Sequence, residues 1–255
     1  MPRSRTNRQS LPDKLPISRD MVIDTALRQV DESGVEKLTM RGVADALGVY
    51  PTTLYWHAGT KADLLAAVCE RLLDGLELPI LSEAAEWDSW LLTVCNSVRD
   101  GLREHPNVVP LMASQVQVSP SSFTLAEGIL GALSAAGFEG DRLIEMYNTV
   151  VGFVFGWIFS ELAALPSNAQ QGWEDRFIEQ LVTADADRFP HLRENIDKLK
   201  DRTFMLRTVS GRTAPMDSSF ATALDLLVSG IRVKSKSVRQ QSKSGSTNAE
   251  TDKRR

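Results

Sequence analysis

The sequence predicts an all-α chain: a small N-terminal three-helix module of the helix-turn-helix (homeodomain-like) kind, followed by a larger helical domain. Three observations carry this. Apolar residues recur at three- and four-residue spacing along most of the chain, with no alternating strand pattern and no internal repeat. Short polar residues precede these stripes and glycines follow them, as helix starts and stops require. Residues 38–61, LTMRGVADALGVYPTTLYWHAGTK, read as two short helices about a glycine turn.

The elements follow in order. Residues 1–17 are polar and basic with Pro12 and Pro16, and read as a flexible arm. Ser18 caps a helix whose stripe is Val22, Ile23, Ala26, Leu27 and Val30, stopped by Gly34. Thr39 caps a short helix bearing Val43, Ala44 and Leu47, closed by Gly48. Pro51 opens the next, Thr52 to His57. Thr60 and Asp63 form a reciprocal cap for a helix with Leu64, Leu65, Val68, Leu72, Leu73 and Leu76 on its buried face, and Pro79 ends a module spanning 18–78. Residues 79–233 form the larger domain, with helices expected at about 87–104, 121–136, 141–165, 173–184 and 218–233. Between 185 and 217, Phe189, Leu192, Ile196, Leu199 and Phe204 fit one or two short helices or a wrapping loop. Residues 234–255, rich in Ser, Gln and Lys, are expected to be a disordered basic tail.

Composition excludes several classes. At 42% hydrophobic and 24% charged, 255 residues can bury a core. Two cysteines, Cys69 and Cys95, cannot frame a secreted disulfide scaffold, and both fall on apolar stripes as buried thiols. The first residues carry no apolar signal core, and the uncharged run Met146 to Ser160 is short of a bilayer span, so a cytoplasmic protein without a membrane partner is expected. His105 and His191 lack metal-ligand spacing, and His105 stands where a helix breaks before Pro106. With no Ser/His/Asp set, phosphate-cradling loop or carboxylate pair, neither catalysis nor a cofactor or metal is expected. The net charge of −4 is uneven: residues 81–231 hold 11 basic and 20 acidic groups, and 232–255 hold 8 and 2. An acidic body does not exclude nucleic-acid binding through a local patch.

Residues 38–61 suit that purpose. Val43, Ala44, Leu47, Val49 and Leu54 hold two helices at a fixed angle, and Thr52 and Thr53 start the second, where base edges are read. Tyr55, Trp56 and His57 suit an exposed helix only if a partner covers them. Lys61 opens the next helix, where its ammonium and the helix-end amides grip a phosphate. This segment resembles the DNA-binding module of the TetR/AcrR (tetracycline-repressor) family of bacterial regulators, with Thr53-Leu54-Tyr55-Trp56-His57 and Lys61 especially similar to the tetracycline repressors. The resemblance implies that Arg41 contacts the backbone or a base. It implies too that Thr52 and Thr53 read bases, and that Tyr55, Trp56, His57 and Lys61 engage the sugar–phosphate backbone or support that surface. The sequence departs from those repressors at Met40, in place of threonine, and at Tyr50-Pro51-Thr52, in place of a Glu-Gln-Pro run. Pro51 thus stands where they have a base-reading glutamine, and their operator sequence is not implied. The basic arm has two readings, a minor-groove contact or a solvated tail.

The larger half resembles the family's helical ligand-binding and dimerisation domain through His105-Pro106, Gly137-Phe138, Gly152 and Gly156. The helix through Val150, Val151, Phe153, Val154, Phe155, Trp157, Ile158 and Phe159 is apolar nearly all round, which predicts burial on every side. A homodimer seam of Val151, Phe155, Ile158, Leu224, Leu227 and Ile231 satisfies it, alongside Phe220 and Val228. The family implies a small-molecule effector cavity, with Met112, Phe123, Phe153, Trp157 and Phe189 as its candidate lining. Tetracycline repressors hold a drug-bound magnesium with a histidine and a glutamate. The glutamate's position falls here on Ser160, beside Glu161, so the resemblance does not carry that site over. The expectation is a homodimeric DNA-binding regulator, most simply a repressor released from a palindromic operator on double-stranded DNA by an effector. The alternatives are a regulator gated by another protein, or a helical small-molecule-binding protein that does not read DNA.

Overall fold

The computed structural model describes residues 17–81, 86–114, 120–163, 172–199, 202–204 and 212–252. The basic arm thus lies almost wholly outside the described residues. Among those described there is no β-strand. Cα packing divides the chain into two compact units, residues 1–68 and 69–255.

The first unit is a trihelical cluster of α1 (Arg19–Ser33), α2 (Met40–Leu47) and α3 (Pro51–Ala58), each packed on the other two. The predicted caps form. The Ser18 hydroxyl accepts from the Met21 N–H at 3.2 Å, and that of Thr39 from Gly42 at 3.0 Å. A 3₁₀ turn, Val35–Lys37, not anticipated from the sequence, joins α1 to α2. Val22, Ala26, Val30, Val43, Ala44 and Leu54 are all completely buried. Gly48 takes up the left-handed conformation (φ 65°, ψ 37°) that ends α2 and turns the chain into α3.

Helix α4 (Lys61–Asp74) begins in this unit, and the division falls after Val68 rather than at the expected boundary near 78. The reason lies in what its second half touches. The Ser121 hydroxyl hydrogen-bonds Asp74, and Leu76 lies where a Cβ on Gly101 would stand.

The second unit contains α5 (Trp87–Glu104), α6 (Val109–Ser114), α7 (Pro120–Ala135), α8 (Gly140–Glu161), α9 (Trp173–Val182), α10 (Pro190–Leu199) and α11 (Asp217–Asp252). Helices α5, α7, α8 and α11 pack together, α6 lies on α8, and α9 pairs with α10. Helix α6 was not anticipated from residue spacing, and α10 accounts for part of the ambiguous stretch before 217. Helix α11 does not stop near 233 but runs to Asp252, so most of the expected disordered tail is helical. Once packing of Phe220, Leu224, Val228 and Ile231 has formed the helix, extension through Lys, Arg, Gln and Ala costs little. Cys69 and Cys95 are buried, and burial pushes the Cys95 thiol up to about 12.

Helix α8 is long and apolar enough to cross a membrane by length and composition. It is not buried all round, contrary to expectation. Val150, Val154, Ile158 and Glu161 are buried along one side, while Gly152 and Gly156 are exposed. A single protomer offers neighbours to only part of its circumference.

Among the described residues, one carboxylate of that core, Glu161, is fully buried and fully engaged. The Arg99 guanidinium on α5 grips it with two hydrogen bonds, of 2.9 and 2.6 Å, and the Trp157 indole N–H donates at 3.2 Å. The Met216 backbone N–H, just before α11, donates at 2.9 Å. Arg99 also reaches Asp217 at 2.8 Å, which Arg103 contacts at 2.9 Å. Burial pushes the Glu161 carboxyl up, but Arg99 and the Met216 N–H outweigh it and leave the pKa below the ordinary value. Arg99 likewise holds Asp217 low. Carboxylates with lowered pKa contribute stability above their unfolded pKa and lose it as pH falls through the folded one. Glu161→Gln therefore leaves Arg99 without its buried partner. Urea unfolding at pH 7 should show a loss of about 3–5 kcal/mol, and the variant's stability should fall less steeply than the wild type's below pH 4.

Candidate nucleic-acid interface and ligand cavity

In the first unit, α3 is organised against the usual rule. Its buried residues are Leu54 and Ala58, four apart, which fixes the face turned to α1 and α2. On the opposite side, also four apart, stand Thr52 and Trp56, both exposed, with Tyr55 on the flank. Trp56 is 90% exposed and Tyr55 52%, while Tyr50, just before the helix, is 81% exposed. Thr53 and His57 are half-buried on the other flank. Arg41 is exposed at the start of α2 and 3.8 Å from Asp45, a solvent-facing pair readily exchanged for a phosphate. All seven expected contact residues thus belong to one unit, with Thr52, Tyr55, Trp56, Arg41 and Lys61 exposed. Tyr50 is a further candidate. It stands outside the expected contact set, although a tyrosine between a turn glycine and a helix-opening proline has no core to enter.

Lys61 is set by the turn before α4. The Thr60 N–H and hydroxyl both donate to Asp63 Oδ2 at 2.7 Å, and the Asp63 N–H returns to the Thr60 hydroxyl at 3.2 Å. The Thr60 N–H and hydroxyl hold the Asp63 carboxyl below its ordinary value. Gly59 is required twice over: its φ is +67°, and a Cβ there would stand 2.6 Å from Asp63 Oδ2.

The second unit contains an apolar cavity of about 490 Å³. Leu125, Ala126 and Ile129 of α7 face Tyr147, Val151, Phe155 and Phe159 of α8, with Leu73, Met112, Ser122, Gly152 and Gly156 completing the wall. Of the five expected lining residues, only Met112 is on it. Phe153 stacks on Phe220 with ring centroids 5.9 Å apart, and Trp157 packs on Phe220 and Phe204. Phe123 is 60% exposed, and Phe189 lies under the Arg188 guanidinium. Of the expected seam, Ile158, Leu224 and Ile231 are buried inside their own protomer, Val151 and Phe155 face the cavity, and Leu227 is half-buried. The signal for the cavity strip was the four-residue spacing of Tyr147, Val151, Phe155 and Phe159, which marks a face without saying whether a neighbour fills it. Among the described residues, no His/Cys/Asp/Glu cluster suits a metal ion.

Gly59→Ala should cost roughly 1–3 kcal/mol, read as a lowered midpoint in thermal unfolding, because it strains the turn and displaces the Asp63 cap together.

Residues 22–68 match the family described as "Bacterial regulatory proteins, tetR family", and residues 78–235 match "Tetracyclin repressor-like, C-terminal domain". An HTH-type transcriptional regulator of Saccharopolyspora erythraea is 28% identical, covering 75% of this chain and 79% of its own length. The class A tetracycline repressor of transposon 1721 from Escherichia coli is 29% identical, over 74% of this chain and 94% of its own. Apo ActR of Streptomyces coelicolor shares the fold at TM-score 0.68 and 21% identity, covering 88% of this chain and 98% of that one. A possible TetR family regulator of the same species gives TM-score 0.66 at 26% identity, over 85% and 99%. With an outward-turned aromatic helix in one unit, an apolar cavity in the other, and family matches across both, the chain belongs to the tetR family of bacterial regulatory proteins and is a DNA-binding transcriptional regulator.

Proposed function

We propose that this regulator is a cytoplasmic homodimeric repressor that grips a palindromic operator through α3 and leaves it when a small molecule fills the cavity between α7 and α8. The observation that carries the DNA contact is the 90% exposure of Trp56 on the side of α3 opposite its buried face. Apolar rings gathered on one exposed face mark a binding surface. Thr52 and Thr53, at the start of α3, take the base edges. Tyr55, Trp56 and His57 cover the strands, and Arg41 and Lys61 take phosphates. A repressor role follows the class A tetracycline repressor, which resembles this chain over most of both lengths.

Effector control requires a ligand that binds one conformation better than the other. Helix α4 supplies a material link, because Lys61 at its start belongs to the DNA surface and Leu73 near its end lines the cavity. A ligand pressing on Leu73 in one state only biases where Lys61 stands.

For dimerisation, the outer face of α11 is the better seam than the residues its periodicity first suggested. Leu226 and Val233 are 67% and 66% exposed, and a Cβ on Gly230 between them would meet no atom within 4 Å. A two-fold pairing there joins two reading heads, set about 34–36 Å apart on a palindromic site. Leu226→Glu should convert the dimer to monomer in light scattering without lowering the unfolding midpoint; an unchanged mass would refute this seam.

Fluorescence anisotropy with DNA upstream of the protein's own gene tests the reader. Trp56→Ala should weaken binding about tenfold or more, and Lys61→Ala should lower the salt slope by about 1 per head. Unchanged affinity and slope in both variants would remove α3 and the start of α4 from the interface.

A further inference from the structure

Among the described residues the wall of the α7–α8 cavity is apolar, the Met112 thioether included, apart from two hydroxyl-bearing side chains, Ser122 and Tyr147, and no acid, base or histidine lines it. Tyr147, Val151, Phe155 and Phe159 recur every four residues, so they form one continuous strip, with the Phe155 and Phe159 rings 5.8 Å apart. Beside the strip, a Cβ on Gly152 or Gly156 would meet nothing within 4 Å, so missing side chains leave part of the space open. The neighbouring carboxylate, Glu161, is committed to Arg99, Trp157 and the Met216 N–H. It is therefore not offered to a metal ion at this wall, and the residues present do not fit the magnesium that tetracycline repressors use.

From this geometry we infer that the effector is an uncharged, ring-bearing organic molecule bound without a metal ion. It stacks along the α8 strip and makes at most a few hydrogen bonds, to the Tyr147 phenol and the Ser122 hydroxyl. The inference rests on the reading of this cavity as the effector site. An ionised ligand would give up its hydration and meet no opposite charge among the described wall residues. A magnesium chelate would meet no carboxylate among the described wall residues, the donor such an ion usually takes from a protein. A neutral ring system loses little on leaving water and gains contact on both sides.

The test compares two fluorescent probes that share one ring skeleton and differ by a fixed negative charge, N-phenyl-1-naphthylamine and 1-anilinonaphthalene-8-sulfonate. Tetracycline with and without magnesium is the third arm, all on the full-length protein. The neutral amine should bind at least about tenfold more tightly than the sulfonate, and magnesium should leave tetracycline binding unchanged. Ala126→Phe, which places a ring in the cavity, should weaken amine binding about tenfold or more. Gly156→Leu fills the same space from α8 and serves if the first variant fails to fold. Binding that is sensitive to these fillings but favours the sulfonate, or needs magnesium, would overturn the uncharged class and leave the cavity as an effector site. Probe binding indifferent to both fillings, or no binding by any probe, would remove the cavity reading and this inference with it.

Discussion

The buried pairing of Arg99 with Glu161 is the constraint from which the architecture of the second unit follows. A carboxylate with no exposed surface is tolerated only when its charge and lone pairs are matched, and here three elements combine to match them. Arg99 comes from α5, Glu161 and Trp157 from α8, and the Met216 N–H from the segment that starts α11. The guanidinium also lies 4.7 Å above the Phe220 ring, which ties the first turns of α11 to the same point. The pair therefore fixes how α8 is rotated about its own axis. With Phe153, Trp157 and Glu161 turned toward Phe220 and Arg99, the strip from Tyr147 to Phe159 is turned toward α7, and the cavity is the space left on that side.

Helix α8 thus serves three environments at once, which explains why it looked uniformly apolar. One side packs in the core, one holds the buried charge among aromatic rings, and one borders a cavity. Around the last of these, small residues matter as much as large ones, because the volume exists where Gly152 and Gly156 carry nothing. The carboxylate nearest that strip, Glu161, is engaged by Arg99, Trp157 and the Met216 N–H instead of facing the cavity.

The DNA reader shows the opposite arrangement. Its core is small and aliphatic, with Val22, Val43 and Leu54 at the centre, while its largest rings face outward. Such exposure is maintained by rigid local geometry: Pro51 and the left-handed Gly48 aim α3, and the Thr60–Asp63 cap with Gly59 aims the start of α4. These devices are short-range, and each is spelled out in a few consecutive residues.

That difference in range sets what was legible beforehand. The caps at Ser18, Thr39 and Thr60, the turn at Gly48, the helix Trp87–Glu104 and the outward-facing rings of α3 were readable, because neighbours in sequence decide them. The cavity lining, the seam and the extent of α11 were not. Periodicity shows that Phe153 and Phe155 lie on different sides of α8, but it cannot say which side meets Phe220 and which meets empty space. Nor could it show that Leu224 and Ile231 are used up within the protomer, or that Arg99 would claim Glu161 across 62 residues of chain. The sequence by itself determined most of the helices, their caps and which side chains of the first module find no core to enter. Only the tertiary structure decided where α8 is filled and where it is left open, because that depends on contacts between helices far apart in the chain.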